Sequence, residues 1–158
     1  MKKLSLLLAA LLILSSTVVS AEWETFKSAD GMYEYTKDGV ITAYYGDEFA
    51  FFPAEIDGTK INEIGVMACI DLGLEAISVA EGIELINTNA FEGCNAESAY
   101  IPSSVKNIGE RAFANCANLN EVTLNSEEIT FDFDVFAGTG FIQFYIPCTA
   151  DKHAMYEK

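Results

Sequence analysis

One stretch of this chain, residues 101–124, recurs along the sequence at a nearly constant interval. A backward shift of 22 positions, and a forward shift of 23, place similar residues on one another. The equivalent positions are Ile86 and Ile108, Phe91 and Phe113 with Phe136 one step further, and Cys94 and Cys116. A fixed period in the twenties predicts a solenoid, in which each coil packs only against its neighbours.

Each coil is predicted to contribute one short strand. Leu119, Val122 and Leu124 have the L-x-x-L-x-L spacing of leucine-rich repeats. Val122 and Leu124 share the inward face while Thr123 points outward, because successive side chains of a strand alternate. The predicted core consists of Ile86, Phe91, Cys94, Ile101, Ile108, Phe113, Cys116, Leu119, Val122, Leu124, Phe136 and Ile146.

The second half of each coil returns the chain to the start of the next strand. Gly109 permits a tight bend without side-chain cost. Ala112 and Phe113 are predicted to lie on a short helical or 3₁₀ segment, with the small residue allowing close approach and the large one filling the interior. The predicted fold class is therefore an α/β repeat solenoid with one strand per coil of 22–23 residues.

These motifs resemble the BspA-like leucine-rich repeat family of bacterial surface and secreted proteins. The resemblance rests on Ile101-Pro102 with Val105, on Ile108-Gly109, and on Ala112-Phe113 with Cys116. It covers most of the chain, about residues 33–156. It implies a leading β-hairpin, and a role in surface adhesion or in binding to the host matrix.

A hairpin is also predicted from the residues before the coils. Lys37-Asp38-Gly39 lies between two β-prone runs, Tyr33–Tyr35 and Val40–Tyr45, and Asp-Gly between such runs favours a tight turn. A solenoid must close its apolar end with an atypical unit, so this hairpin is predicted to be a cap. In the first coil, Cys69 takes the place of Phe113, which predicts looser packing there.

The first 21 residues have the pattern of a secretory signal peptide. Lys2 and Lys3 precede an apolar run over residues 4–14, and Val19-Ser20-Ala21 is a small-residue cleavage site. The apolar run is too short for a transmembrane helix. The mature chain is predicted to be secreted or at the cell surface, with no membrane span. Its parts are a lead-in and hairpin (22–50), the coils (51–147), and a C-terminal cap or tail (148–158).

The charge of the chain excludes several classes of partner. The sequence has 9 basic and 24 acidic residues, and the predicted leader removes two of the basic ones. Nucleic acids and anionic membrane surfaces both require basic patches. Among the scattered acids there is no D-x-D-x-D-G loop, so neither a metal site nor a cofactor is expected.

The cysteines and the single histidine give no catalytic pattern. The four cysteines contain no C-x-x-C pair, and His153 lies in a polar tail without an evident partner. The chain is therefore predicted not to be an enzyme. Cys94 and Cys116 occupy equivalent places on adjacent coils, so a disulfide is conceivable. Stacked buried thiols are the favoured alternative.

The functional prediction rests on the outward row of the strands. By register, this row consists of Phe51, Ser78, Tyr100, Thr123 and Tyr145. Exposed aromatic residues are favoured at protein interfaces, although aromatic residues also suit strands for structural reasons. The sequence predicts a module that binds an extracellular or host protein, or a glycan, through this concave face. The alternative is an inert scaffold unit without a dedicated ligand.

Overall fold

The structure, a computed structural model, describes residues 24–126, 128–140 and 142–146. The predicted signal peptide and the predicted C-terminal cap or tail lie outside the described residues. The described part forms a β-solenoid of about five turns, with four coils and the opening strand of a fifth. Its strands are β1 (Thr25–Lys27), β2 (Tyr33–Thr36), β3 (Val40–Tyr44), β4 (Phe49–Phe52), β5 (Glu55–Ile56), β6 (Thr59–Lys60), β7 (Glu63–Ile64), β8 (Ala76–Val79), β9 (Leu85–Ile86), β10 (Ser98–Ile101), β11 (Asn107–Ile108), β12 (Glu121–Leu124), β13 (Thr130–Phe131) and β14 (Gln143–Tyr145).

A parallel five-stranded sheet forms one side of the solenoid, in the order β14-β12-β10-β8-β4. Alternate residues of β4, β8, β10 and β12 are buried, as the sequence predicts, whereas all three residues of β14 are exposed. In β12, Val122 and Leu124 face the interior, whereas Glu121 is exposed and Thr123 half-buried. The two-residue period therefore fixes one apolar and one solvent-facing surface.

A second sheet forms another side, in the order β1-β2-β3-β7-β9-β11-β13. The coils contribute its short parallel strands, in which Ile64, Ile86 and Ile108 are fully buried. Each coil thus has two strands, and the prediction of one strand per coil is wrong. Stacking of the coils brings the two-residue segments into register, and a segment that short has too little alternation to be identified from sequence.

A turn segment closes each coil on its third side, over residues 66–71, 88–93, 110–115 and 133–138. These segments are bonded from coil to coil. The N–H of Phe91 donates to the carbonyl of Ala112 at 2.8 Å, and the N–H of Phe113 donates to that of Val135 at 2.9 Å. Each segment has two residues with positive φ, four positions apart. They are Met67 and Asp71, Asn89 and Gly93, Arg111 and Asn115, and Asp134 and Gly138.

The predicted helical or 3₁₀ segment around Ala112 and Phe113 is not confirmed, because the described residues contain no helix. The α/β part of the predicted class is therefore corrected to a β-solenoid. Left-handed residues at Arg111 and Asn115 interrupt any run of right-handed helical backbone. The N–H groups that a helix would pair internally are paired with the next coil instead.

A column of phenylalanine rings fills the interior. Phe91 and Phe113 stack with their ring centroids 5.1 Å apart, and Phe113 and Phe136 do so at 5.5 Å. Phe52 meets Phe91 edge-on at 5.2 Å. In the first coil, the position equivalent to Phe113 is occupied by Cys69, which is buried. The ring next to Phe91 on that side comes instead from Phe52. The column joins the coils into one core.

The predicted core residues are buried with two exceptions, both at the C-terminal end. Phe136 is partly buried, and Ile146 is 59% exposed, so its prediction as a core residue is wrong for the described residues. Ile146 directly follows β14, the last strand of the five-stranded sheet. Within the described part of the chain no further coil covers it.

The predicted hairpin is present as the antiparallel pair β2–β3, and β3 continues into the parallel strands through β7. Its turn requires Gly39, whose φ is +88°, and a Cβ there would collide with the carbonyl oxygen of Lys60. Tyr33 and Tyr44 of the hairpin pack on Phe52, with ring centroids 6.5 and 5.4 Å from it.

Candidate functional site

The outward surface of the five-stranded sheet, hereafter the strand face, carries the predicted binding row. The register pairs Phe51 with Ser78, Ser78 with Tyr100, Tyr100 with Thr123, and Thr123 with Tyr145. The five predicted residues therefore lie side by side across the sheet. Their role in binding remains a prediction.

Aromatic and hydroxyl side chains alternate along this row. Phe51, Tyr100 and Tyr145 are 52%, 40% and 45% exposed, and the half-buried Ser78 and Thr123 lie between them. Neighbouring strands are about 4.8 Å apart, so successive aromatic side chains project about 10 Å apart. The row therefore offers three separated aromatic surfaces with small polar side chains between them.

Tyr100 lies at the centre of the row and is held in place from the side. The side-chain amide of Asn125 donates a hydrogen bond to the Tyr100 hydroxyl at 2.6 Å. Asn125 follows β12, the next strand of the sheet. This bond limits the freedom of the Tyr100 ring, which lowers the entropy that a contact with a partner would cost.

One further exposed aromatic residue lies on the strand face, at its N-terminal end. Phe49 lies two positions before Phe51 on the same face of β4. Tyr45 is also exposed, but it follows β3 of the second sheet. The ammonium group of Lys27 lies 4.7 Å from the centroid of the Tyr45 ring. The row prediction missed Phe49, although the two-residue period of a strand identifies it once Phe51 is placed outward.

Glutamates line the edge of the strand face where the strands begin. The N–H of Glu75 donates to the carbonyl of Glu48 at 2.7 Å, and the N–H of Glu97 donates to that of Glu75 at 2.8 Å. Glu48, Glu75 and Glu97, hereafter the glutamate rim, are thus stacked one per coil, and all are exposed. These glutamates were not among the residues predicted from the sequence. Each of them directly precedes an outward-facing strand residue, so the repeat interval could have identified them.

The ion pair found among the described residues lies away from the rim. Arg111 pairs with Glu92 on the turn side, and Asn115 also donates to Glu92 at 3.0 Å. These hydrogen bonds, that of Arg111 first, lower the pKa of the Glu92 carboxyl. The ammonium group of Lys27 lies over the ring of Tyr45. Within the described part of the chain, no cation is paired with the glutamate rim.

The described cysteines are buried thiols rather than reactive groups. Cys69, Cys94 and Cys116 are free, and the Sγ of Cys94 donates to the carbonyl of Cys69 at 2.9 Å. The Sγ of Cys116 donates to the carbonyl of Phe91 at 3.1 Å. Burial raises the pKa of Cys94 to about 12 and that of Cys116 to about 11.

The C-terminal end of the core opens into an apolar recess. Leu124, Phe131, Phe136, Phe144 and Ile146 contribute to its lining. On the turn side, backbone N–H groups of each earlier coil donate to carbonyl groups of the following coil. The equivalent N–H groups of the fourth coil are those of Asp134, Phe136 and Gly138, and within the described residues no carbonyl group of a following coil accepts from them.

Two further features bear on the class of site. Across residues 24–126, 128–140 and 142–146, no three His, Cys, Asp or Glu side chains are grouped closely enough to hold a metal ion. The same residues include no helix of the length and apolar character needed to cross a membrane.

The family described as "BspA type Leucine rich repeat region" matches residues 44–156 of the chain, in six copies. No curated protein matches the chain. The family match includes the strand face and the glutamate rim as well as the coils that carry them.

Two solved structures are similar in fold. One is a leucine-rich repeat protein from Bacteroides capillosus, at 22% identity and a TM-score of 0.67, with 78% of this chain and 99% of that chain covered. The other is a leucine-rich cell surface protein from Faecalibacterium prausnitzii, at 21% identity and a TM-score of 0.54, with 78% and 43% covered. At these identities the likeness establishes the shared solenoid fold alone.

Proposed function

Because this chain belongs to the BspA-type leucine-rich repeat family, we propose that it is an exported protein-binding module whose strand face contacts the partner. Leucine-rich repeat proteins are generally binding or scaffold modules rather than enzymes. The family is commonly found in secreted or surface proteins, and one protein of similar fold is described as a cell surface protein. Adhesion to an extracellular or host protein, or to a glycan, is the role we propose for this module.

The observation that carries the proposal is the set of exposed aromatic residues on the strand face. Phe49, Phe51 and Tyr100 are exposed, although the opposite face of β4 and β10 already supplies the core. Tyr145 is exposed on β14, whose three residues are all exposed. Exposed aromatic side chains of this kind are enriched at the centres of interfaces, where single residues contribute about 2 kcal/mol or more.

The experiment is a binding screen of the mature protein against extracellular proteins and glycans. We expect Tyr100→Ala to weaken binding to an identified partner at least tenfold, about 1.4 kcal/mol. Phe133→Ala is the matched control, because Phe133 is 73% exposed but lies on the turn side. Loss of binding in Phe133→Ala with normal binding in Tyr100→Ala would place the interface on the other side of the solenoid.

Export is proposed from the sequence of the first 21 residues. We expect the exported protein to begin at Glu22, because the small-residue site ends at Ala21. Intact-mass measurement of the exported protein tests this. Detection of Met1 in that protein would contradict it.

We also propose that the β2–β3 hairpin is the N-terminal cap of the solenoid. The contacts of Tyr33 and Tyr44 with Phe52 support this role. The apolar recess at the other end favours the alternative function, a scaffold unit that stacks in an assembly. Light scattering separates the two functions, since stacking predicts oligomers whose mass rises with concentration. A monomer that binds a partner supports the binding module.

A further inference from the structure

We propose that the strand face recognises an extended basic segment of a protein, in which arginine or lysine side chains pair with the glutamate rim while the segment crosses the aromatic row. This inference rests on the proposed function, and it names the chemical class of the partner. It is carried by the charge of the face and by the spacing of the exposed rings.

The glutamate rim places three like charges in succession along one edge of the sheet. Glu48, Glu75 and Glu97 follow one another on neighbouring coils, bonded through their backbones at 2.7 and 2.8 Å. All three are exposed, so a cationic partner can reach them. Charge-assisted hydrogen bonds from arginine or lysine side chains to these carboxylates would contribute to the affinity.

The sheet continues the negative charge beyond the rim. In the fourth coil, Asn120 takes the rim position, and its N–H bonds to the carbonyl of Glu97 at 3.0 Å. Glu121 follows on β12 and is exposed on the strand face. The opposite edge, where the strands end, has Pro53, Ala80 and Pro102 at its equivalent positions. Glu81 is exposed just past that edge, but its carboxylate already accepts hydrogen bonds from Ser103 and Ser104. The glutamate rim, at the edge where the strands begin, is therefore the side on which we expect a basic segment to place its cations.

The aromatic row suits the same side chains. Cations bind favourably over the faces of aromatic rings, and arginine stacks on them especially well. The protein already contains such a contact, because the ammonium group of Lys27 lies over the ring of Tyr45. Tyr100 and Phe51 offer exposed rings of this type, each three positions along the chain from a glutamate of the rim.

The dimensions of the strand face favour an extended segment. Five strands about 4.8 Å apart span about 19 Å, and an extended chain covers that distance in about six residues. Alternate side chains of the segment point to the same side, so half of them reach the rim or the rings. A compact partner surface would meet fewer of the carboxylates at once.

The test uses fluorescein-labelled hexa-arginine, with hexa-citrulline as a neutral ligand of nearly the same shape. We expect hexa-arginine to bind the full chain and hexa-citrulline to bind at least tenfold more weakly. The variant E48Q/E75Q/E97Q should lose at least tenfold in affinity for hexa-arginine. The matched variant E84Q/E110Q/E128Q removes three exposed glutamates away from the strand face and should change the affinity less than twofold.

The outcomes separate this inference from the proposed function. Equal losses in both triple variants would mean that net charge alone attracts the peptide, which overturns the inference. No binding of hexa-arginine, or equal binding of hexa-citrulline, overturns it as well. A partner that is lost in Tyr100→Ala but unaffected by E48Q/E75Q/E97Q, such as a neutral glycan, overturns it while leaving the strand face as the interface.

Discussion

The two ends of the phenylalanine column differ in how they are closed. At the N-terminal end, Phe52 is fully buried beneath Tyr33 and Tyr44. At the C-terminal end, Phe136 is only partly buried, and Phe144 meets it edge-on at 5.4 Å while remaining exposed. The repeating coils are the same in plan at both ends. Within the described residues, side chains from outside the coils lie on Phe52, whereas the rings that contact Phe136 belong to the coils and to β14.

The backbone shows the same contrast. The hydroxyl of Tyr33 donates to the carbonyl of Phe51, on the edge strand of the five-stranded sheet. At the other end, the turn segment over residues 133–138 presents N–H groups without a coil beyond them in the described part of the chain. A repeat thus stabilises its neighbours but cannot close an end, which requires side chains outside the repeat pattern.

The largest effect is expected in the middle of the column. Phe113→Ala should lower the free energy of unfolding by about 3–5 kcal/mol, since it empties a buried site between two rings. Lys106→Ala, an exposed change, should cost less than about 0.5 kcal/mol. Denaturant unfolding measures both. Equal stabilities of the two variants would disprove the stacked column.

The buried thiols of Cys94 and Cys116 should react slowly with alkylating reagents. Because burial raises the pKa of Cys94 to about 12 and of Cys116 to about 11, alkylation at pH 8 should be slowed by about a hundredfold or more in the folded protein, and more at Cys94 than at Cys116. Mass spectrometry with and without denaturant measures this. The fourth coil has Thr139 at the same place, bonded to the carbonyl of Phe136 at 2.7 Å.

The raised thiol pKa values also predict a dependence of stability on pH. The protonated thiols are favoured in the folded state, so their contribution is complete below about pH 9 and is lost as the pH rises toward about 12. The free energy of unfolding should therefore fall across this range, and less so in Cys94→Ala. Rapid labelling of the folded protein, or a crosslinked Cys94–Cys116 peptide, would contradict the buried thiols.

A smaller effect is expected at the open end of the column. Phe136→Ala should cost about 1–2 kcal/mol, less than Phe113→Ala, because its ring is only partly removed from water. The same unfolding experiment gives both values. A cost equal to that of Phe113→Ala would mean that the C-terminal end is closed as fully as the centre.

The smallest effect concerns the hydroxyl at the closed end. Tyr33→Phe keeps the ring on Phe52 but removes the donor to the Phe51 carbonyl, so we expect a loss of about 0.5–1.5 kcal/mol. Burial raises the pKa of Tyr33 to about 12, and ionisation at high pH should therefore disrupt the wild type more than the variant. Tyr45→Phe, at an exposed ring, is the control. An unchanged stability of Tyr33→Phe would show that the ring alone closes this end.

The placement of the outward row was predictable because it depends on two regularities that the chain carries locally. The repeat length places Tyr100 beside Ser78 and Thr123, and the two-residue strand period turns all three outward. The glutamate rim also follows from the repeat interval, but exposed acidic residues are common in any acidic protein and do not by themselves indicate a site. The stacked coils show that these glutamates are aligned, and among the described residues no cation is paired with them.

The sequence by itself determined the repeat, its length, the equivalence of Phe91, Phe113 and Phe136, and the inward or outward direction of the residues in β4, β8, β10 and β12, because these follow from periodicity along the chain. Tertiary structure decided the second sheet, the left-handed turns in place of a helix, and the exposure of Ile146. Each of these depends on whether a neighbouring coil is present to accept hydrogen bonds or to cover a side chain. The backbone of Phe113 finds its partner 22 residues away, at Val135, and no local pattern records that bond.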